Sequence, residues 1–233
     1  MFRIRIQNKK KCIWYCSAVV SFLLFLLLLG WTNHLANTQD AQQMAGRWSE
    51  KKDVAQISCF FSSKAEVTED TIQSFEYSLK NVLQEASITE TSENPSARLW
   101  VDAYSADGKI TLVNGKNTLD ANAIGIGGDF FMFHPLKLIT GSYFSGNDLM
   151  QDYCIIDQDA AWQLFGSNDV VGMTVYIGNV PHIVTGVVQR PDSRMDKAAG
   201  LNSTVVYVSY ETLSAYGTNN GINHYEIVMP NPV

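Results

Sequence analysis

Cysteine is scarce in this 233-residue chain, and the four that occur do not group. Cys12 and Cys16 share one apolar run, whereas Cys59 and Cys154 lie far apart, each in a strand-like stretch. There is no CxxC and no Cys/His spacing suited to zinc, which excludes a zinc ribbon, a dithiol redox centre and a disulfide-dense scaffold. Positive charge is also scarce outside the first residues. Arg3, Arg5, Lys9, Lys10 and Lys11 precede residue 32 with no acid among them, so a formal total of −6 leaves −11 for residues 32–233. An acidic body without a basic stripe repels phosphate, and nucleic-acid binding is excluded as a function.

Catalytic signatures are missing as well. No GxxxxGK[ST] and no GxSxG elbow occurs, and no Ser or Cys stands in a nucleophile context. Gly125-Ile126-Gly127-Gly128 fails the GxGxxG spacing because Phe130 occupies the last glycine position, and it reads as a tight turn between strands. His34, His134, His182 and His224 show no helical or metal-ligand spacing and read as structural or exposed residues. Asp152, Asp157 and Asp159 lack the calcium-loop pattern, and Asp159 reads as part of a helix start. The expectation is a protein that is not an enzyme, with no cofactor and no metal.

One feature is present in excess. Residues 12–31 carry no charge and contain an unbroken Leu/Phe run from Phe22 through Leu23, Leu24, Phe25, Leu26, Leu27 and Leu28 to Leu29. Twenty helical residues span about 30 Å, the thickness of a bilayer's hydrocarbon core. Trp14, Tyr15 and Trp31 lie near the ends, where aromatic rings prefer the interface. The run is longer than a signal-sequence core, and His34 spoils the nearest cleavage-like site after Ala36, so an anchor is favoured over a cleavable leader. The basic segment 1–11 in front places the N-terminus in the cytoplasm and residues after 31 outside. The partner implied by the chain itself is therefore the membrane.

Beyond the span, residues 32–53 read as a polar stalk that can continue the helix, and 54–233 as the extracytoplasmic domain. Val54–Phe61 is strand-like. Ile72, Phe75, Leu79, Val82, Leu83 and Ala86 recur at helical spacing, with Thr68 as a cap and Glu69 and Asp70 at the positive end of the dipole. Asn94-Pro95 breaks the chain. Ala106-Asp107-Gly108-Lys109 predicts a hairpin turn between strands 98–104 and 109–113, with a polar stretch after Asn114-Gly115. Strand 153–157, helix 158–165 closed by Gly166, a hairpin 173–188 turning at Gly178-Asn179, a loop over 189–203, strand 204–208, helix 210–216 and strand 224–229 complete the reading. Hairpins outnumber crossovers, so the fold class is α+β, one domain or two small lobes behind one transmembrane helix. Phe130, Phe131, Phe133, Tyr143 and Phe144 read as core or as a partner-contact surface. Cys59 and Cys154 are open between free thiols and a disulfide.

Several pieces in order carry a resemblance. They are Gly127-Gly128-Asp129-Phe130-Phe131 followed by Leu136-Lys137-Leu138 and Gly141, then Leu164-Phe165-Gly166, then Val171–Gly178 running on to Val187-Val188, and later Val206–Tyr210. This pattern, strongest over 127–188, resembles the MacB-like periplasmic core domain of ABC-transporter permeases in the MacB/FtsX superfamily. Ser142 departs from it, since family members often carry Arg after the glycine. The resemblance implies a mechanical role in export or efflux. A separate cytoplasmic ATP-binding subunit drives the membrane helices, a second permease unit pairs with the first, and the outer domain receives the motion. It also implies three further membrane helices, none of which precedes Val233, so a fragment or a shortened protein is expected. A membrane-anchored ligand-binding or sensor domain is the alternative.

Overall fold

The computed structural model describes residues 9–37, 40–49, 53–89, 98–190, 194–198 and 203–231. Two compact units divide the chain, residues 1–43 and Met44–Val233. In the first, helix α1 runs over Lys9–Asn37, so the apolar helix continues into the polar stalk. A 3-10 turn follows at Asp40–Gln43. Residues 1–8 of the basic segment and the Asn94-Pro95 break fall outside the described residues.

The second unit opens with a short helix α2 (Met44–Trp48) and then strand β1 (Val54–Phe60). Helix α3 (Glu69–Glu85) begins where the Thr68 N–H donates to Thr71 Oγ1, 3.5 Å away, and the two hydroxyls meet at 3.2 Å. Ile72 and Leu83 are buried, whereas Phe75 and Val82 stay exposed, so α3 buries a narrower stripe than its periodicity predicts. Strands β2 (Val101–Asn114) and β3 (Asn117–Gly128) form one long hairpin. Helix α4 (Phe130–Phe133) and strands β4 (Leu138–Gly141) and β5 (Tyr153–Asp157) come next. Helix α5 (Gln158–Phe165), strands β6 (Thr174–Ile177) and β7 (Val180–Val188), helix α6 (Arg194–Ala198), strand β8 (Val205–Ser209), helix α7 (Tyr210–Tyr216) and strands β9 (Thr218–Asn219) and β10 (His224–Pro230) complete the order.

The hairpin turn lies elsewhere than predicted. Asn114 pairs with Asn117, leaving Gly115-Lys116 as a two-residue loop with Gly115 at φ +60, the requirement of a type II′ turn. Asp107-Gly108 sits mid-strand instead. The Thr218 carbonyl and the Leu213 side chain press so closely on Gly108 that a Cβ there would lie 2.3 Å from the carbonyl oxygen. Its glycine serves close approach rather than a turn. The same holds for Gly125–Gly128, which lies within β3 and not at a turn between strands.

The strands form one sheet, ordered β1-β10-β2-β3-β8-β5-β7-β4, with β6 joining β2 to β7. Pairing thus returns to β2 through β3, β8, β5, β7 and β6, a closed circuit of six strands. The largest core fills this circuit. It combines Leu112, Cys154, Ile156, Val175, Val184, Val206 and Val208 with Ala160, Ala161 and Leu164 of α5 and Leu213 of α7. In place of two small lobes, the domain is a single unit whose one sheet links all its cores. The α+β class stands, with mixed strands, hairpins and short helices.

Both external cysteines are free. Cys154 is wholly buried, and burial pushes its thiol up to about 12. β1 and β5 are five ladder steps apart at about 4.8 Å each. Cys59 and Cys154 also belong to different cores, so no disulfide joins them.

Candidate functional site

The residues expected to anchor the chain sit together on α1. Ile13–Leu35 is a 23-residue candidate span whose most apolar 18-residue window has a mean hydropathy of 2.3. Trp14, Tyr15, the eight residues Phe22–Leu29 and Trp31 are all exposed. At about 1.5 Å per residue the stretch covers about 35 Å, long enough to cross a bilayer. The helix is apolar on every side, and none of these side chains is buried.

The aromatic stretch behaves otherwise. Phe130, Phe131, Phe133 and Phe144 are buried, and Tyr143 is half-buried. Phe131 stacks on Tyr143 at 4.6 Å and meets Phe130 and Phe144 edge-on at 5.4 and 5.7 Å. The Tyr143 hydroxyl donates to the Leu136 carbonyl. These rings build the second core with Met44, Val101, Ile126, Ile155 and Val228. The rings fill the corner where β3 gives way to α4, which agrees with the core alternative of the sequence reading, and neighbouring Met132 presents a large apolar side chain outward.

A cleft of about 800 Å³ lies between β3, β8 and the end of β7, lined among others by Asn122, Lys137, Gln189, Ser203 and Tyr207. At its edge Asp157 caps α5, accepting from the Ala160 N–H at 2.7 Å, and also accepts from the Val205 N–H at 3.0 Å. Arg190 pairs with Asp157 at 3.2 Å and Asp159 at 2.5 Å, and donates to Thr204 Oγ1 at 3.0 Å. Its guanidinium is committed to the fold. Burial, aided by the Asp157 charge, pushes the Tyr207 phenol up to about 12 and keeps it neutral. Such a cleft can hold a molecule but presents no activated nucleophile.

Hydroxyls do meet a histidine at α7. Ser209 Oγ lies 2.9 Å from Thr212 Oγ1, which lies 3.1 Å from His182 Nε2. All three residues are buried, and both hydroxyls reach the Gln151 carbonyl, at 3.1 and 3.0 Å. Ser209 is also the N-cap of α7. Burial lowers the His182 pKa, outweighing the Val180 carbonyl and Asp152. This group ties the segment before β5, strand β7 and helix α7 together, beside a shallow pocket of about 230 Å³ lined by Gln151, His182 and Thr212.

Two other histidines form a group that their spacing does not announce. His134, at the end of α4, and His224 and Glu226, two apart on one face of β10, bring one ligand atom each to within 4.8 Å of one another. Tertiary packing brings His134 and His224 together across 90 residues of chain, a separation that gives no motif in the sequence. His34 belongs to α1, in the first unit.

The sequence profile of the MacB-like periplasmic core domain matches residues 20–230. The chain belongs to that family. The macrolide export ATP-binding/permease protein MacB of Chromobacterium violaceum is 32% identical over 99 residues, 42% of this chain and 15% of that protein. The MacB of Pasteurella multocida is 30% identical over 98 residues, 41% of this chain and 14% of that protein. The chain thus spans only a small part of the length of these relatives. Among solved structures, the periplasmic region of MacB from Actinobacillus actinomycetemcomitans aligns with a TM-score of 0.43 at 24% identity, covering 59% of this chain and 62% of that one. The extracellular domain of the noncanonic ABC-type transporter YknZ from Gram-positive bacteria aligns with a TM-score of 0.45 at 20% identity, covering 77% and 84%.

The MacB-like signature residues are fold-forming. Phe130-Phe131 belong to the aromatic core. Leu164-Phe165-Gly166 ends α5, with Gly166 at φ +73. Val171–Gly178 supplies β6 and the turn into β7. In this MacB-like domain the described signature residues thus form a core, a helix end and a turn.

Proposed function

We propose that the chain is the first transmembrane helix and extracytoplasmic domain of an ABC-type permease, which couples ATP-driven movement of membrane helices to export or efflux. The observation that carries the reading is the family match, which begins inside the apolar helix and runs through the whole domain to residue 230. In this reading α1 crosses the membrane with its basic end in the cytoplasm, and residues after 31 lie outside. A separate ATP-binding subunit supplies the energy, and a second permease unit completes the pair.

The start of the domain is built to receive force. Met44 is 2% exposed and sits in the aromatic core. Arg47 donates to the carbonyls of Met132 and Phe133, 2.7 and 3.3 Å away. The Ala45 N–H donates to Gln56 Oε1 at 3.2 Å. A displacement delivered at residue 44 therefore passes into β1 and the α4 corner together, as coupling through packed elements requires.

Two measurements test the proposal. In intact spheroplasts, a lysine reagent that cannot cross the bilayer should modify exposed Lys64 and Lys80 and spare Lys9–Lys11. The reverse pattern ends the transport reading. Co-purification with an ATP-binding protein encoded beside this chain should follow, and macrolides, named for the curated relatives, are the first compounds to assay for export. The 800 Å³ cleft supports the alternative of an anchored ligand-binding or sensor domain. Saturable binding of a small molecule in the cleft, with export unchanged when this chain is deleted, favours that second role.

A further inference from the structure

We infer that His134, His224 and Glu226 form a binding site for a divalent transition-metal ion, with zinc as the best fit. Glu226 and His224 project from the same face of β10, because residues two apart on a strand share a face. His134 arrives from the other side, held at the end of α4 by its N–H bond to the Phe130 carbonyl at 2.9 Å. Its Nε2 lies 2.5 Å from Glu226 Oε2, and His224 Nε2 lies 3.7 Å from Glu226 Oε1. Bonds of about 2.0–2.1 Å around tetrahedral zinc separate its ligands by about 3.4 Å. The observed separations bracket that value, so small side-chain rotations suffice to admit an ion.

The surroundings hold the three ligands in place. Phe60 lies opposite His224 in the β1/β10 register and stacks on its ring at 4.5 Å and 12°. Phe130 stacks on His134 at 4.6 Å and 30°. Ser58 lies opposite Glu226 and donates to its Oε1 at 2.9 Å, the kind of outer contact that orients a ligating carboxylate. Two stacked imidazoles and a braced carboxylate converging at one point restrict the loss of side-chain freedom on binding.

Charge and satisfaction also point to an ion. Glu226 is 3% exposed, and its carboxylate is buried beside the two imidazoles. His224 Nε2 is buried with no hydrogen-bond partner and points at this group. A cation bound to both imidazoles and the carboxylate satisfies that nitrogen and neutralises the buried charge at once. The His134 and His224 side chains are 24% and 18% exposed, so the group lies close to the surface of the domain. Two imidazoles and a carboxylate suit zinc, copper and nickel, and are too few and too nitrogen-rich for calcium or magnesium. A bound ion would tie the α4 corner, and with it the aromatic core, to β10.

The test uses the full 233-residue chain, without a histidine tag, in detergent micelles after chelator treatment. Calorimetric titration with Zn²⁺ should show one ion per chain, and Mg²⁺ or Ca²⁺ no saturable heat. At free zinc 100-fold above the dissociation constant, the melting temperature should rise by roughly 5–10 °C. His224→Ala and Glu226→Gln should weaken binding by about 30-fold or more, as expected for loss of one of three ligands. His34→Ala should leave the titration unchanged. Because the variants can lose their fold, a footprint on the unaltered chain stands beside them: zinc should protect His134 and His224, and not His34, from an imidazole-modifying reagent. Absence of stoichiometric zinc uptake, or uptake with both histidines still open to modification, overturns the site and leaves a His–Glu ion pair of purely structural use.

Discussion

Tyr104 and Gly127 face each other across the β2/β3 ladder, and the tyrosine ring occupies the space that a side chain at 127 would need. A Cβ on Gly127 would lie 2.0 Å from Tyr104 Cζ. Tyr104 cannot readily swing aside, because Tyr210 meets it edge-on at 5.8 Å. Gly127→Ala should therefore destabilise the domain by about 1–3 kcal/mol through overpacking. Urea melts of Gly127→Ala, Tyr104→Ala and the double variant check this. The double variant should be more stable than the sum of the two losses predicts, and strict additivity would show that ring and glycine do not interact.

Glu76 on α3 meets Asp102 on β2 through a hydrogen bond in which Glu76 holds the proton. Burial first, then the Asp102 charge and that bond, push Glu76 from its ordinary 4.5 to about 7. Burial raises Asp102 too, opposed by the bonds from Glu76 and from the Tyr225 hydroxyl at 3.2 Å. Between about pH 4.5 and 7 the folded chain keeps a proton that the unfolded chain releases. Stability from this group is complete below pH 4.5 and falls as pH rises to 7. Glu76 is about half open to solvent, so the loss is discounted to about 1 kcal/mol. Glu76→Gln should flatten this part of the stability–pH curve and leave the variant the more stable at pH 8. An unchanged slope in denaturant melts would rule the pair out as its source.

Asp157 supports three elements with one carboxylate: it caps α5, accepts from β8 and pairs with Arg190. It is 2% exposed. Asp157→Ala leaves buried N–H groups and a half-compensated guanidinium, for an expected cost of about 3–5 kcal/mol. Asp157→Asn keeps an acceptor for the cap and should lose less. Thermal melts of the two variants should rank in that order.

Met44 and Arg47 join the start of the domain to its aromatic core. Met44→Ala should cost about 2–5 kcal/mol. Arg47→Ala, which removes a more exposed contact, should leave the melting temperature nearly unchanged and speed amide exchange around Met132–His134. If the proposed coupling is correct, Arg47→Ala also lowers export while ATP hydrolysis continues. Slower hydrolysis and export in equal proportion would place the defect elsewhere.

Periodicity in the sequence predicts the elements whose own residues are sufficient to make them. The α5 helix stops at Gly166, and the β6/β7 hairpin turns at Gly178-Asn179, because both endings use positive φ that these residues adopt at low cost. The β2/β3 turn misleads for the same reason. Asp107-Gly108 and Asn114-Gly115 have the same local chemistry, and only the approach of Leu213 and Thr218 from β9 and α7 distinguishes them. The aromatic run cannot be read as core or surface from its composition, since burial of Phe130, Phe131 and Phe133 depends on β10, β5 and α2 covering them.

From sequence alone the chain had a membrane-length apolar helix, an acidic body behind it, an α+β order of short elements and the scattered pieces of a MacB-like domain. Each of these is written in neighbouring residues, through charge, hydropathy and turn chemistry. Tertiary structure alone decided that the sheet closes through β6, that Cys59 and Cys154 stay apart, and that His134 meets His224 and Glu226. Those outcomes depend on strands distant in the chain becoming neighbours, and no local pattern records which strands will pair.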